Sequence, residues 1–429
     1  MLDIKYIREH VNEIKENCEK RRVVVDVDKL LGLDKEQRDL RQQIDTLRAE
    51  RNKKSRGKPT PEEIDKMKTV GGEIAKLEKE FSEGEGEFTA LMYGLPNLTH
   101  PDVPAGKDES ENQVVRKVGE PTTFSFQPKE HYELGEALGM IDIERAAKVT
   151  GSRFGYLKGD IARLEFALIQ HALSVVTDER VLQEIIAKKN LTVPAKPFTP
   201  VVPPVMIRPD VMHRMGRLEP KEERYHIPSD DLYLVGSAEH TLGPMHMDET
   251  LTEADLPLRY IGFSTAFRRE AGSYGKDTKG ILRVHQFDKL EIESFTFPEH
   301  GEAEQDFIIA IQEYLMQSLG IPYQVIFNCT GDMGAPDYRQ FDIESWLPGQ
   351  NRYRETHTSD YMTDFQSRRL NIRVRRKNDE TEFVHMNDAT TFAIGRTLIA
   401  IMENYQEQDG TIRIPDVLQQ YMSGKTVIQ

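Results

Sequence analysis

Between positions 258 and 291 the chain passes through two runs of β-forming residues, 258–267 and 280–291, separated by a loop dense in glycine and charge. That pattern predicts a strand–loop–strand hairpin. The loop side reads Phe267-Arg268-Arg269-Glu270-Ala271-Gly272-Ser273-Tyr274-Gly275, and the return reads Arg283-Val284-His285-Gln286-Phe287-Asp288-Lys289-Leu290-Glu291. Arginines stand at both ends of the loop with acids beside them. A fixed guanidinium next to a loop that allows close approach suits a phosphate and the charge that develops on it. Phe287 offers a flat face for a purine ring. In isolation, a charged surface hairpin is the commoner reading of such a segment.

The rest of the chain is read around this hairpin. Residues 1–22 carry Ile4, Ile7, Val11 and Ile14 at helical spacing. From 28 to 54, Leu33, Leu40, Ile44 and Leu47 recur at mostly three- and four-residue steps. Lys58-Pro59-Thr60-Pro61 breaks that helix, and Ile64, Met67, Ile74, Leu77, Phe81, Phe88 and Leu91 define a second one. Two long helices joined by a Pro-containing turn predict an antiparallel hairpin, a coiled-coil arm. Gly71-Gly72 and Gly84-Glu85-Gly86 are expected to weaken the second helix locally. The turn end is basic, with Arg41, Arg48, Arg51, Lys53, Lys54, Arg56 and Lys58. The formal net charge of the whole chain is −15, so a positive tip is where a polyanion would be held. A dimerisation arm is the other reading.

A Pro- and Gly-rich stretch, 94–121, reads as a linker. Beyond it, 165–176 reads as a helix, and 199–205, 232–235, 323–327, 341–346, 371–376 and 382–385 read as strands. The pattern is α+β and mostly antiparallel, without a Rossmann or P-loop glycine signature. The expected division is an arm and linker over 1–110 and a catalytic domain over 111–429. No apolar run approaches the roughly 18 residues of a membrane span. The opening Met1-Leu2-Asp3-Ile4-Lys5 has no signal-peptide core. Cys18 and Cys329 form no metal-type pair. A cytoplasmic protein with no membrane partner is expected.

The hairpin resembles motif 2 of class II aminoacyl-tRNA synthetases, in the version found in the seryl-tRNA synthetase family. Ala393-Ile394-Gly395-Arg396-Thr397-Leu398 and its continuation to Gln406 resemble motif 3 of that family. Cys329-Thr330-Gly331-Asp332-Met333-Gly334, Trp346-Leu347-Pro348-Gly349-Gln350-Asn351-Arg352-Tyr353-Arg354-Glu355, Leu2-Asp3-Ile4-Lys5-Tyr6-Ile7-Arg8-Glu9, and Leu95-Pro96-Asn97-Leu98 with His100-Pro101-Asp102-Val103-Pro104 match further signatures. Six signatures in order cover nearly the whole chain.

The resemblance implies an antiparallel sheet flanked by helices, and a serine–tRNA ligase acting through seryl-adenylate on L-serine, ATP with Mg²⁺, and tRNA(Ser). In that chemistry the nucleophile is already ionised, so the protein positions two anions and neutralises phosphate charge. By family position, Arg268, Arg396 and Glu355 are the catalytic residues. Arg268 would contact the α-phosphate and the substrate carboxylate, with Arg269 beside it. Glu270 and Val284 would border the adenine, Phe287 and Arg396 would stack on its two faces, and Glu344, Thr356 and His357 complete the ATP site. Glu355 and Thr358 would hold Mg²⁺. Ser237, Ala238, Glu239, Arg268, Glu291, Asp388 and Thr390 would bind serine. Arg41, Arg48, Arg51, Lys53 and Lys54 would meet tRNA, and a homodimer is implied.

Two segments depart from the family pattern. Asp388-Ala389-Thr390 stands where Asn-Gly-Ser is usual, and Thr356-His357-Thr358-Ser359-Asp360-Tyr361 where Ile-Ser-Ser-Cys-Ser-Asn is usual. Both keep hydrogen-bonding groups at the side-chain end of the pocket, where specificity is least constrained. His240 and His246 have no recognised zinc spacing, and no zinc is expected. The run Arg368-Arg369, Arg373, Arg375-Arg376-Lys377 reads as one charged strand. An amino acid:carrier-protein ligase is the rival enzyme reading, against which the arm speaks. A non-catalytic RNA-binding paralogue is the other, against which the presence of Arg268, Glu355 and Arg396 speaks.

Overall fold

Apolar residues on Leu258–Phe267 (β3) and Gln286–Thr296 (β4) pair in antiparallel register from Leu258↔Phe295 to Phe267↔Gln286. The hairpin predicted from sequence is therefore the spine of a larger sheet. The computed structural model describes residues 1–54, 60–271 and 279–429, the side chains of Lys54 and Glu63 excepted. The motif 2 loop residues Gly272 to Gly275, and Arg56, Lys58 and Pro59 of the arm turn, lie outside the described residues. Two compact units are present, Met1–Leu98 and Thr99–Gln429.

In the first unit, helices Ile4–Glu9 and Val11–Lys20 stand where one short helix was expected. Val27–Lys54 (α1) and Pro61–Gly94 (α2) form the long hairpin. Ile44 and Ile74 are buried in it. Gln37 Nε2 donates to the Phe81 carbonyl at 2.9 Å, and Arg48 donates to Glu78 at 2.7 Å. The glycines do not interrupt α2; a Cβ added at Gly71, Gly72 or Gly86 would meet nothing within 4 Å. For these three the cost is backbone entropy, whereas a Cβ at Gly84 would meet Gln37 Nε2 at 2.5 Å.

The second unit is built on an eight-stranded sheet. Its other strands are Gln113–Val118 (β1), Thr199–Val201 (β2), Tyr323–Phe327 (β5), Arg339–Leu347 (β6), Arg352–Thr363 (β7) and His385–Ala393 (β8), in the order β1-β5-β6-β7-β8-β4-β3-β2. All neighbours are antiparallel except β2 and β3. Asp160–Val176 (α3), Gly301–Ser318 (α4) and Ile394–Asn404 (α5) share one apolar core with the sheet. The α+β expectation holds.

Four details differ from the sequence reading. The linker stretch contains β1, an edge strand. β7 and α4 were not anticipated. The basic run is not one strand: Arg368 and Arg369 lie on the helix Phe365–Leu370, and only Arg373–Arg375 is extended. By sequence Arg396 opens a helix after Gly395, whereas α5 begins at Ile394 and holds both residues in its first turn. No helix among the described residues is long and apolar enough to cross a membrane.

Candidate active site

The sheet face opposite the helices carries a cavity of about 230 Å³, walled by β4, β6, β7, β8 and the start of α5. At its mouth Arg268 and His285 hold the hairpin together. The Arg268 N–H donates to the His285 carbonyl at 3.0 Å, and His285 Nδ1 lies 3.0 Å from the Arg268 carbonyl. The Arg268 guanidinium stands 5.4 Å from the Phe287 ring centroid, and its Nε donates to the Gly236 carbonyl at 3.1 Å. One cation is thus clamped against the aromatic face expected to carry a purine. Glu270, at φ 52°, faces Arg283 at 3.4 Å. Arg269 turns away and stacks over Tyr225 at 5.6 Å. Val284 is buried in the cavity wall.

Arg396 reaches across from α5 to Glu355. Its Nη1 is 2.9 Å from the Glu355 carbonyl oxygen and 3.1 Å from Oε1. Burial would raise the Glu355 carboxyl, but Arg396, Arg268 and Lys289 outweigh it and hold the group below its ordinary value. Glu344 lies directly opposite Glu355 across β6 and β7, and Asp342 lies opposite Thr358. Like charges facing each other across a sheet repel. Burial, then Glu355, raises both Glu344 and Asp342, and Asp342 Oδ1 is buried without a hydrogen-bond partner among the described residues. A cation shared with phosphate oxygens would relieve this row, and Mg²⁺ is typically held by only one or two carboxylates. Among the described residues no three acidic, His or Cys side chains form a complete metal cage by themselves.

The deep end is a network of acids. Glu291 accepts from Ser237 Oγ at 2.9 Å and from Thr390 Oγ1 at 3.2 Å, and pairs with Lys289. Burial pushes Glu291 up to about 7 against the pull of Lys289. Glu239 is buried too, but His240, Lys289 and Arg217 hold it down at about 2. Asp388 accepts from Arg217 Nη2 at 2.9 Å, and Asp360 and Asp337 stand 3.6 Å and 3.8 Å from the same nitrogen.

Arg268, Glu270, Val284, Phe287, Glu355, Thr358, Arg396, Glu239, Glu291, Asp388 and Thr390 all line the cavity. Glu344 lines the adjoining groove, which also holds Arg352 and Arg354. Ser237 and Ala238 are fully buried just behind the wall. Thr356 lines the cavity, and its hydroxyl is tied to Ser345 at 2.8 Å and to the Ile343 carbonyl at 3.2 Å. Strand alternation turns His357 to the core face, where its ring packs 5.6 Å from Phe392 and burial lowers it to about 3. In the arm, Arg41 lies over Phe81 and Arg48 pairs with Glu78. Arg51 and Lys53 are exposed, and the Lys54 side chain lies outside the described residues.

Residues of the cavity and its adjoining groove that the sequence reading did not assign are Arg217, Asp337, Lys289, Gln340 and Asp342. Arg217 and Asp337 occupy loops and meet only in the tertiary fold. Lys289 was legible, because it alternates with Phe287 and Glu291 on the pocket face of β4.

Residues 223–405 match the model of the tRNA synthetase class II core domain (G, H, P, S and T), and residues 1–99 match the seryl-tRNA synthetase N-terminal domain. The serine–tRNA ligase of Thermodesulfovibrio yellowstonii is 40% identical, over 98% of this chain and 99% of its own length. The seryl-tRNA synthetase of Pyrococcus horikoshii, solved with ATP, superimposes with a TM-score of 0.88 at 40% identity, over 100% of this chain and 99% of its own. The cytoplasmic serine–tRNA ligase of Naegleria fowleri, solved with AMP, gives 0.85 at 31% identity, with the same coverage. Both halves of the chain, arm and catalytic core, thus find their counterparts in a single group of enzymes, and the chain belongs to the seryl-tRNA synthetase family.

Proposed function

We propose that the chain activates serine with ATP and then transfers the seryl group to the terminal ribose of tRNA(Ser). The observation that carries this reading is the joining, in one cavity, of a phosphate-type clamp (Arg268, Arg396, Glu355, Phe287) with an ammonium-type cradle (Glu239, Glu291). The substrate carboxylate attacks the α-phosphorus of ATP; the new O–P bond forms as the bond to pyrophosphate breaks. Arg268 lies between the two ends and neutralises both carboxylate and α-phosphate. Arg396 holds the triphosphate and caps the adenine opposite Phe287. Glu355 and Glu344, with Thr358, would hold Mg²⁺, which supplies charge neutralisation between phosphates. Glu239 and the Ser237–Glu291–Thr390 network orient the amino acid. In the second step the ribose hydroxyl attacks the acyl carbon and AMP leaves.

The exposed Arg51 and Lys53 support the arm, over 1–110 with its linker, as the tRNA-holding part of a protein whose net charge is otherwise negative. Val149, Tyr156 and Phe166 are exposed apolar side chains of the catalytic unit. They support a homodimer, the assembly in which such surface is covered. A cytoplasmic location goes with this role. The test is amino-acid-dependent ATP–pyrophosphate exchange across the twenty amino acids, followed by acylation of tRNA(Ser) transcript. Serine should lead both. A different leading amino acid would overturn the substrate while leaving the adenylate chemistry in place.

A further inference from the structure

Three adjacent strands place three acids side by side, and two of them, Asp388 and Asp360, line the cavity. Glu293 on β4 lies directly opposite Asp388 on β8, and Asp388 lies directly opposite Asp360 on β7. Directly paired residues point to the same face of a sheet, with Cβ atoms about 5 Å apart. Asp337 joins them from a loop. One guanidinium, that of Arg217, faces Asp388, Asp360 and Asp337 together. Asp360, only 6% exposed, lines the cavity, and its Oδ1 has no hydrogen-bond partner among the described residues. Glu293 is fully buried with neither carboxylate oxygen hydrogen-bonded among them.

This row is one more acidic site than serine calls for. The α-ammonium of any amino acid is provided for by Glu239 and Glu291. A side-chain hydroxyl then offers the Asp row one donor and no charge. An ammonium on the same carbon offers three donors and one positive charge, where three carboxyls share a single cation. It replaces one heavy atom by one heavy atom, so the cavity need not enlarge.

We propose that this site also binds and activates a serine analogue with a primary amine in place of the β-hydroxyl, the class of short α,β-diamino acids. The inference rests on the adenylate-forming reading above. Its chemistry is the same step: the α-carboxylate forms the O–P bond, pyrophosphate leaves, and both ammonium groups keep their protons. Asp360 and Asp388 act as specificity residues, not as catalytic ones.

The experiment is ATP–pyrophosphate exchange by the full chain with L-serine, L-2,3-diaminopropionate and L-alanine in parallel. The expected result is exchange with the diamino acid at a kcat/KM within about tenfold of serine and at least about 100-fold above alanine. Asp360→Asn should lower the ratio of diamino-acid to serine kcat/KM by about tenfold or more. Exchange with serine and none with saturating diamino acid overturns this inference and leaves the serine reading standing. Exchange with the diamino acid alone supports it and removes serine as the substrate. Exchange with neither overturns both readings. The wild-type panel decides these outcomes even if Asp360→Asn does not fold.

Discussion

Glu165 on α3 is hydrogen-bonded to Asp288 on β4, the residue between Phe287 and Lys289, and Thr265 Oγ1 donates to Asp288 at 2.6 Å from the neighbouring strand. Burial first, and then Asp288, push the Glu165 carboxyl from its ordinary 4.5 up to about 8. The folded protein therefore keeps a proton that the unfolded chain releases near pH 4.5. Stability from this group is fully present below that pH and is lost as pH rises toward about 8. At about 1.4 kcal/mol per pH unit the whole interval is worth at most about 5 kcal/mol. Glu165→Gln keeps a donor toward Asp288 and removes the titration. The variant should match the parent near pH 4.5 in urea melts and gain on it steadily to pH 8, with about 2–5 kcal/mol separating the two there. Curves that run parallel from pH 4.5 to 8.5 would refute the shared-proton pair, whatever their absolute offset.

Further outcomes follow from the same geometry. Arg396→Ala should cut serine-dependent exchange about 100-fold or more, with far-UV circular dichroism unchanged, because a fixed charge on the triphosphate is worth roughly 3 kcal/mol; near-normal exchange would refute its role. Deleting residues 30–90 should leave exchange largely intact while acylation of tRNA collapses and the dependence of tRNA binding on salt flattens; full acylation by the truncated chain would make the arm purely structural. Chelation by EDTA should abolish exchange and added Mg²⁺ restore it, and activity that survives chelation would remove the metal from Glu344 and Glu355. Arg259→Met strands the buried Glu304, which Arg259 now holds through two hydrogen bonds of 2.6 Å. Urea melts should show a loss of about 3–5 kcal/mol, much of it recovered by adding Glu304→Gln.

What the sequence showed and what it hid divide along a physical line. Arg268, Phe287, Glu291, Glu355 and Arg396 were legible as types in ordered signatures, and the cavity brings all five together. The long arm helices were legible because their apolar spacing is periodic. Helix α4 was not, because Glu304, Gln305, Gln312 and Glu313 are buried along it and blur any apolar stripe. Strand β7 was hidden for a related reason. Its core face carries His357 and Ser359 and its pocket face Thr358 and Asp360, so both sides read as polar and no alternation shows. β1 was masked by the prolines and glycines around it.

Two of the hidden elements, α4 and β7, bury polar groups, and polar groups are buried where an outside partner or a network compensates them. That connects the two gaps. Asp360 could be read as a departure from a family pattern, yet its meaning depends on register. One residue's slip in β7 would turn Asp360 to the core face and bring Ser359 toward Asp388. Only the pairing Asp360↔Asp388↔Glu293 turns three scattered acids into one row, and only Arg217, placed by a loop, shows how little positive charge that row has been given. Two of the departures from the family pattern, Asp388 and Asp360, thus meet in this row, at the end of the cavity expected to face the side chain.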